Sequence, residues 1–514
     1  MLARLASAAL RGLDAEPVDV EVDLSRGLPS WSMVGLAEGA VRESRDRVRA
    51  ALLNSNFEFP LRHITVNLSP ADKRKDGSYF DLPVAMGLLI ASGQVVPSHN
   101  QIEEKLPFMI GELALDGRLN RISGALPLTL FARSQGFKSI ILPEANADEA
   151  AVVDGIEVLP AKSLLAVAAH LAGRDMLARY ERALFEDEVS QATPDMMDIR
   201  GQQQARRALE ISAAGSHHLL LSGPPGVGKS MLAARLPGIL PPLTSEQKLE
   251  VARIYSISGE SGSNGSRGGR APMSSVPPFR APHHSASDVA MIGGGSIPKP
   301  GEVSKSHHGT LFLDELPEYR RQVLEVLRQP LENGYVCIAR AAETLEFPAQ
   351  FQLVAAMNPC PCGYLGHPTR NCQCSGMQVR RYRTRISGPL LDRFDLRVHV
   401  PPVEKDELMG MATGESSAAV ALRVNEARQR QYARQGEGVV NARLTPSQLE
   451  LYAMPDSKGS KLLDTAMSRF SLSARSYHRI LKVARTIADI EDEQNVSSTS
   501  IAEALQYRGE VNDE

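Results

Sequence analysis

The stretch Gly223-Pro-Pro-Gly-Val-Gly-Lys229-Ser230 constrains this chain most. It satisfies the G-x-x-x-x-G-K-[ST] pattern and lies between the apolar run His217-His-Leu-Leu-Leu-Ser222 and the segment Met231-Leu-Ala-Ala-Arg-Leu. The run reads as a buried parallel strand and the segment after Ser230 as a helix. Glycines let backbone N–H groups turn inward at a helix N-terminus, where the dipole favours negative charge. Gly223, Pro224, Pro225, Gly226, Val227, Gly228, Lys229, Ser230 and Met231 are therefore assigned to the phosphates of ATP. Lys229 is expected to reach the β- and γ-phosphates, and the Ser230 hydroxyl to hold Mg²⁺. A plain turn between core elements would not require strand, loop, lysine, hydroxyl and helix to coincide.

Gly309-Thr-Leu-Phe-Leu313-Asp314-Glu315 is the second anchor. Its apolar run predicts a buried strand that delivers two carboxylates at its C-terminal end, where open α/β sheets place ligands. Asp314 is expected to bind Mg²⁺ through water, and Glu315 to polarise the attacking water.

A length of 514 residues allows about three domains at roughly 150 residues each. The apolar content of 43% supports well-buried cores, and no run reaches the ~18 apolar residues of a membrane span. A net charge of −3 names no partner, so nucleic-acid binding would have to be local. Met1 to Leu13 carries Arg4 and Arg11 and no acid, as a transit peptide does. The acidic, alternating residues from Asp14 to Glu21 argue instead for the first strands of a domain in a cytoplasmic protein.

Residues 1–170 read as an α+β unit. Strands are predicted over Pro17–Leu24, His63–Leu68, Met109–Leu113 and Ser139–Leu142, and helices over Glu38–Asn54, Asp81–Ser92 and Leu126–Ser134. Lys75-Asp76-Gly77-Ser78-Tyr79, Gly111 to Leu119 and Ile140-Ile-Leu-Pro143 resemble the proteolytic domain of Lon proteases, an S5 domain 2-like fold. In that pattern a nucleophilic serine stands where this chain has Tyr79, and a lysine base where it has Leu126. A Ser–Lys dyad needs both groups, so the domain is expected to be degenerate. Related degenerate domains in RadA-type recombination ATPases suggest an assembly or DNA-contacting role.

Residues 171–196 read as a linker, partly helical around Met176–Phe185, and 197–402 as the ATPase core. Asp198-Ile-Arg-Gly-Gln202, before the helix Ala205–Ala214, resembles the adenine-pocket segment of AAA+ ATPases. Ser256 to Arg270 is Gly/Ser-rich and reads as a loop. The pairs His283/His284 and His307/His308 invite a metal reading. Neighbouring histidines in a strand point to opposite faces, which favours packing.

Gly334–Ile338 and Thr344–Phe347 bracket a charged tip and predict a β-hairpin, followed by the strand Phe351–Ala356 and by Asn358. This order resembles the pre-sensor-1 hairpin clade of AAA+ proteins, which includes Mg-chelatase motors and MCM helicases. The resemblance makes Asn358 the sensor that orients lytic water, and Arg340 a pore residue for DNA or a solvated turn arginine.

Cys360-Pro-Cys362 and Cys372-Gln-Cys374 hold four of the five cysteines, a donor set suited to tetrahedral Zn²⁺. His367 is a substitute ligand and disulfides are the competing reading, disfavoured in a reducing cytoplasm. Cys337 reads as core. Arg380, Arg381, Arg383 and Arg385 form a basic cluster fit for a DNA-tracking or inter-subunit face. Ser387 to Asp395 resembles the arginine-finger segment of the same clade, with Arg393 as the finger reaching a neighbour's γ-phosphate. A finger in trans implies a ring, expected to be a hexamer. Residues 403–514 read as a helical lid, with helices over Ala419–Gln435, Leu449–Met454, Lys461–Ser468, Ala474–Glu491 and Thr499–Gln506. Arg475 matches the sensor-2 position of AAA+ lids, and Arg479, one turn on, is the alternative.

Taken in order, these parts resemble the Mg-chelatase-like ComM/YifB group over almost the whole chain. The resemblance implies a homo-hexameric DNA helicase that promotes branch migration of recombining DNA during natural transformation, acting on single-stranded and branched DNA, with recombination proteins as candidate partners and no membrane. The alternatives are a motor that inserts metal into a macrocycle or remodels proteins, and an ATP-dependent protease, which Tyr79 and Leu126 oppose.

Overall fold

The computed structural model describes residues 1–35, 39–72, 75–98, 105–181, 194–260, 273–295, 298–340, 343–403, 414–469 and 472–508. Within them the chain is mixed α/β: an N-terminal sheet unit, a five-stranded parallel core sheet and C-terminal helices.

The N-terminal unit opens with the long hairpin β1 (Leu2–Arg11) and β2 (Asp14–Ser25), whose alternating burial puts valines 18, 20 and 22 inside. β3 (Ser30–Val34) runs parallel to β4 (His63–Ser69), giving the order β1-β2-β4-β3. The helix α1 (Ser44–Asn54) begins later than its predicted start at Glu38; a separate short turn of helix covers Gly39–Arg42. The apolar helix α2 (Asp81–Ala91) packs on β1 and β2 so closely that a Cβ at Gly87 would meet Val22 Cγ2 at 2.6 Å. The predicted strand over Met109–Leu113 is split, with β5 (Phe108–Met109) joining a second, parallel sheet beside β6 (Ser139–Pro143) and β7 (Glu157–Ala161). The helix α3 (Ala125–Ser134) carries Leu126 at its first turn.

The two positions that a Lon-type dyad would occupy are closed. Tyr79 is buried, and its hydroxyl accepts the Leu10 N–H at 3.0 Å. Leu126 is fully buried, and its N–H donates to Ser256 Oγ and Glu149 Oε1 at 3.3 and 3.1 Å. Ser256 belongs to the segment predicted as the ATPase core, so that segment docks where the base would stand. Ser78 is engaged with Glu112.

Residues 176–181 form no helix, and the rest of the helical stretch predicted around Met176–Phe185 lies outside the described residues. The core begins with α4 (Gln203–Gly215), β8 (Leu219–Ser222) and the short α5 (Lys229–Ala233). The helix α6 (Ser245–Ser258) has a capping box at Thr244 and Gln247 and runs past Ser256, into the predicted loop. The strands β9 (Phe279–Arg280), β10 (Thr310–Leu313), β13 (Gln352–Met357) and β14 (Leu396–His399) complete the sheet in the order β9-β10-β13-β8-β14, all parallel. Between β10 and β13 the chain leaves this sheet as the antiparallel hairpin β11 (Tyr335–Arg340) and β12 (Glu343–Pro348). The helices α7 (Gly376–Arg383), α8 (Ser417–Gln435), α9 (Ser457–Arg469), α10 (Ala474–Ile490) and α11 (Ser498–Gln506) follow. α8 and α10 bury apolar faces against α4, which ties the C-terminal helices to the core.

His218, just before β8, and His308, just before β10, are both pushed down to about 4, burial being the largest cause. A fold that keeps them neutral loses stability as pH falls from 6.5 toward 4, because the unfolded chain takes up protons that the folded chain refuses. We expect urea-unfolding stability to fall across that window by up to about 1.4 kcal/mol per pH unit for each histidine. His218→Asn, which keeps an acceptor for the Leu353 N–H, should flatten part of the slope.

Candidate nucleotide site and cysteine loop

The strand order brings three strand ends together. β8 lies next to β13, which lies next to β10, so the loop after Ser222, Asn358 and the Asp314-Glu315 pair share the C-terminal edge of the sheet. Gly226 and Gly228 adopt φ of 81° and 88°, the left-handed region that glycine enters without strain. Gly223 lies so close to the neighbouring chain that a Cβ would sit 2.3 Å from the Val400 carbonyl oxygen. α5 starts at Lys229, which places the loop at a helix N-terminus.

Lys229 is 8% exposed, and its Nζ donates to the carbonyls of Gly223 and Pro224 at 2.7 and 2.8 Å and to Asn358 Oδ1 at 3.0 Å. All three ammonium protons are thus used. Burial pushes this lysine below its ordinary range, and the fields of Asp314 and Glu315 oppose that shift. Ser230 Oγ donates to Asp314 Oδ2 at 2.5 Å, so the hydroxyl and carboxylate assigned to Mg²⁺ sit side by side. Upstream, Gln202 Nε2 donates to the Val227 carbonyl at 2.6 Å and fixes the loop's flank. Met231 is exposed just beyond it.

Glu315 has φ of 51°, an uncommon conformation for a side-chain-bearing residue and one frequent at functional sites. Its carboxylate lies 3.3 Å from His284 Nδ1. From sequence alone, His284 reads only as one of a pair, for metal or for packing. The cue for its placement is positional: it follows β9, the neighbour of β10.

Neither histidine pair sits in a strand, so the opposite-faces argument does not hold. His308 has φ of 56°, which brings its ring to 3.8 Å from that of His307, and the rings of His283 and His284 lie 4.1 Å apart. His307, His308 and Glu250 form a compact group. The Gln350 N–H donates to His307 Nδ1 at 3.0 Å, so in neutral His307 Nε2 carries the proton and donates to Glu250 at 3.1 Å. That nitrogen has no lone pair for a metal. The group is packing.

Arg393 is 15% exposed and pairs with Glu332 of its own chain. Arg479 lies 3.8 Å from Asp395, and both arginines line one cavity of about 320 Å³ together with Arg443 and Lys482. Arg475 is exposed, and its charge helps push Arg393 below the ordinary arginine range, after burial and Arg479. Among the described residues, no hydrogen bond or ion pair joins Arg393, Arg475 or Arg479 to residues 223–231. The hairpin tip at 341–342 and the Arg340 side chain lie outside the described residues. Arg380 and Arg381 are exposed on α7, whereas Arg385 pairs with Glu318 at 2.8 Å.

The four cysteines converge. Cys360 Sγ lies 3.4 Å from Cys362 Sγ and 3.6 Å from Cys372 Sγ, and Cys374 completes a set whose sulfurs all lie within 4.8 Å of one another. None is in a disulfide. A tetrahedron with Zn–S of about 2.3 Å has sulfur–sulfur edges of about 3.8 Å, so the donor set fits Zn²⁺. His367 is not in the set; its Nδ1 accepts the Thr369 and Arg370 N–H groups, each at 3.1 Å. Cys337, on β11, is partly exposed.

No helix among the described residues is long and apolar enough to cross a membrane. The profile described as magnesium chelatase, subunit ChlI, matches residues 195–408. Profiles for subunit ChlI of Mg-chelatase and for the ChlI C-terminal part match residues 20–146 and 414–508. The competence protein ComM of Haemophilus influenzae is 45% identical over 99% of this chain and 98% of its own length. YifB of Salmonella typhimurium is also 45% identical, over 99% of this chain and 97% of its own. With this phosphate loop on this sheet edge, the chain belongs to the Mg-chelatase ChlI-like family of AAA-type ATPases, alongside ComM and YifB.

Proposed function

We propose that the chain is an ATP-driven, ring-forming DNA motor, a hexameric helicase that promotes branch migration of recombining DNA during natural transformation. The observation that carries the motor reading is the convergence at the sheet edge of two hydrogen-bonded pairs, Lys229 with Asn358 and Ser230 with Asp314. Lys229 and the backbone of residues 223–231 bind the phosphates, and Ser230 and Asp314 hold Mg²⁺. Mg²⁺ held by Ser230 and Asp314 would supply neutralisation of phosphate charge and polarisation of the γ-phosphoryl group. Glu315 accepts a proton from the attacking water, and Asn358 orients that water. Arg393, engaged by its own chain's Glu332 and unconnected to its own phosphate loop, is assigned to the neighbour's γ-phosphate, with Arg475 or Arg479 beside it.

The DNA assignment is supported by the hairpin leaving the sheet between β10 and β13, by exposed Arg380 and Arg381, and by the near full-length likeness to a protein named for competence. The family's naming for magnesium chelatase keeps a chelatase-type or protein-remodelling motor as the second reading. ATP hydrolysis with and without single-stranded and branched DNA separates the two. We expect DNA to raise the rate several-fold; a rate unchanged by any DNA would favour the second reading. Casein digestion is expected to be absent.

A further inference from the structure

Residues 360–374 contain no helix or strand, and only Cys360 and Gly363 among them are buried. A segment with so little apolar burial has no core to hold its shape; it has local contacts such as Arg370 to the Tyr364 hydroxyl at 2.7 Å, and ligation by four thiolates would tie its two ends together. This loop also touches the nucleotide site twice. Its entry is Asn358, whose Oδ1 accepts from Lys229 Nζ at 3.0 Å. Five residues later the chain returns: Gly363, at φ of 83°, lies so near Pro225 of the phosphate loop that a Cβ would meet Pro225 Cδ at 2.5 Å. Cys360 and Cys362 stand between these two points. The other pair, Cys372 and Cys374, leads directly into α7, capped by Ser375. From α7, Arg383 Nε donates to the Pro359 carbonyl at 3.4 Å.

The segment 358–363 is thus a short strap, fixed to the phosphate loop at both ends, with two metal ligands in its middle. We propose that the metal held by Cys360, Cys362, Cys372 and Cys374 positions Asn358 and Pro225, so that nucleotide affinity depends on metal occupancy. The proposal rests on the zinc reading of this cluster. The metal needs no contact with nucleotide for this; Gly363 and Asn358 act as positioning residues through the loop they brace. A thiol reagent or chelator that strips the metal would then weaken ATP binding from outside the phosphate site.

The test uses the full-length chain. Zinc content is measured on the purified protein by elemental analysis, before and after extraction with a mercurial, dithiothreitol and EDTA. A fluorescent ATP analogue gives the nucleotide Kd, and amide hydrogen exchange is followed over residues 223–231. Extraction is expected to weaken the Kd by about tenfold and speed exchange in that loop, with both reversed by added Zn²⁺. Gly363→Val keeps all four cysteines; it should retain zinc yet weaken the nucleotide Kd. A chain that carries no zinc and gains none on dialysis overturns the metal reading itself. A zinc-bearing chain whose Kd and loop exchange do not move on extraction overturns the coupling alone.

Discussion

Glu315→Gln is expected to bind ATP as tightly as the parent chain and to hydrolyse it at least about 100-fold more slowly, the upper range for a general base. Glutamine preserves the shape of the side chain and a partner for His284, which lies 3.3 Å from the carboxylate. It removes only the ability to accept a proton. Lys229, Ser230 and Asp314 make no hydrogen bond to the Glu315 side chain, so the phosphate-binding group should survive the change. Lys229→Ala should differ in kind, because it deletes the ammonium assigned to the phosphates and would lose binding itself. Equilibrium binding of a fluorescent ATP analogue, paired with phosphate release, reads both. Normal turnover by the glutamine variant would remove Glu315 from the mechanism.

Arg393→Ala is expected to abolish turnover when alone, a loss of about 10³-fold or more for an arginine finger, and to regain activity when mixed with Lys229→Ala chains. The expectation follows from where Arg393 sits. It pairs with Glu332, shares a cavity with Arg479, and has no bond to its own residues 223–231 among the described residues. In a ring of head-to-tail interfaces, a site needs the phosphate loop of one chain and the finger of the next. At equal mixing, roughly a quarter of the interfaces would combine an intact Lys229 with an intact Arg393. Phosphate release across mixing ratios measures this. Absence of rescue at every ratio would place the catalytic arginine elsewhere.

The elements legible in the sequence are those whose evidence is local. The strand before Gly223, the strand before Asp314 and the helices α8 and α10 follow from runs and periodicities within one segment, and they lie where those patterns put them. The cysteine set was legible for the same reason, since two close pairs stand a short loop apart. What escaped depends on contacts between distant segments. Nothing near His284 signals that its ring will face Glu315, and nothing near Ser256 signals that it will meet Leu126 and Glu149. What failed for the histidine pairs was the strand assumed for them: both lie in loops, and His308 is left-handed, so the alternation of a strand does not apply. The bracing of Pro225 by Gly363 is likewise invisible in either motif taken alone.

The account centres on a motor that acts on DNA, and a four-way DNA junction tests that most directly. Purified chain with ATP and Mg²⁺ is added to a labelled junction, and the separated duplex arms are resolved on a gel, with Glu315→Gln as the control. The account predicts ATP-dependent resolution of the junction that the glutamine variant does not support. An intact junction, from a chain whose ATP hydrolysis is active and indifferent to DNA, would contradict it.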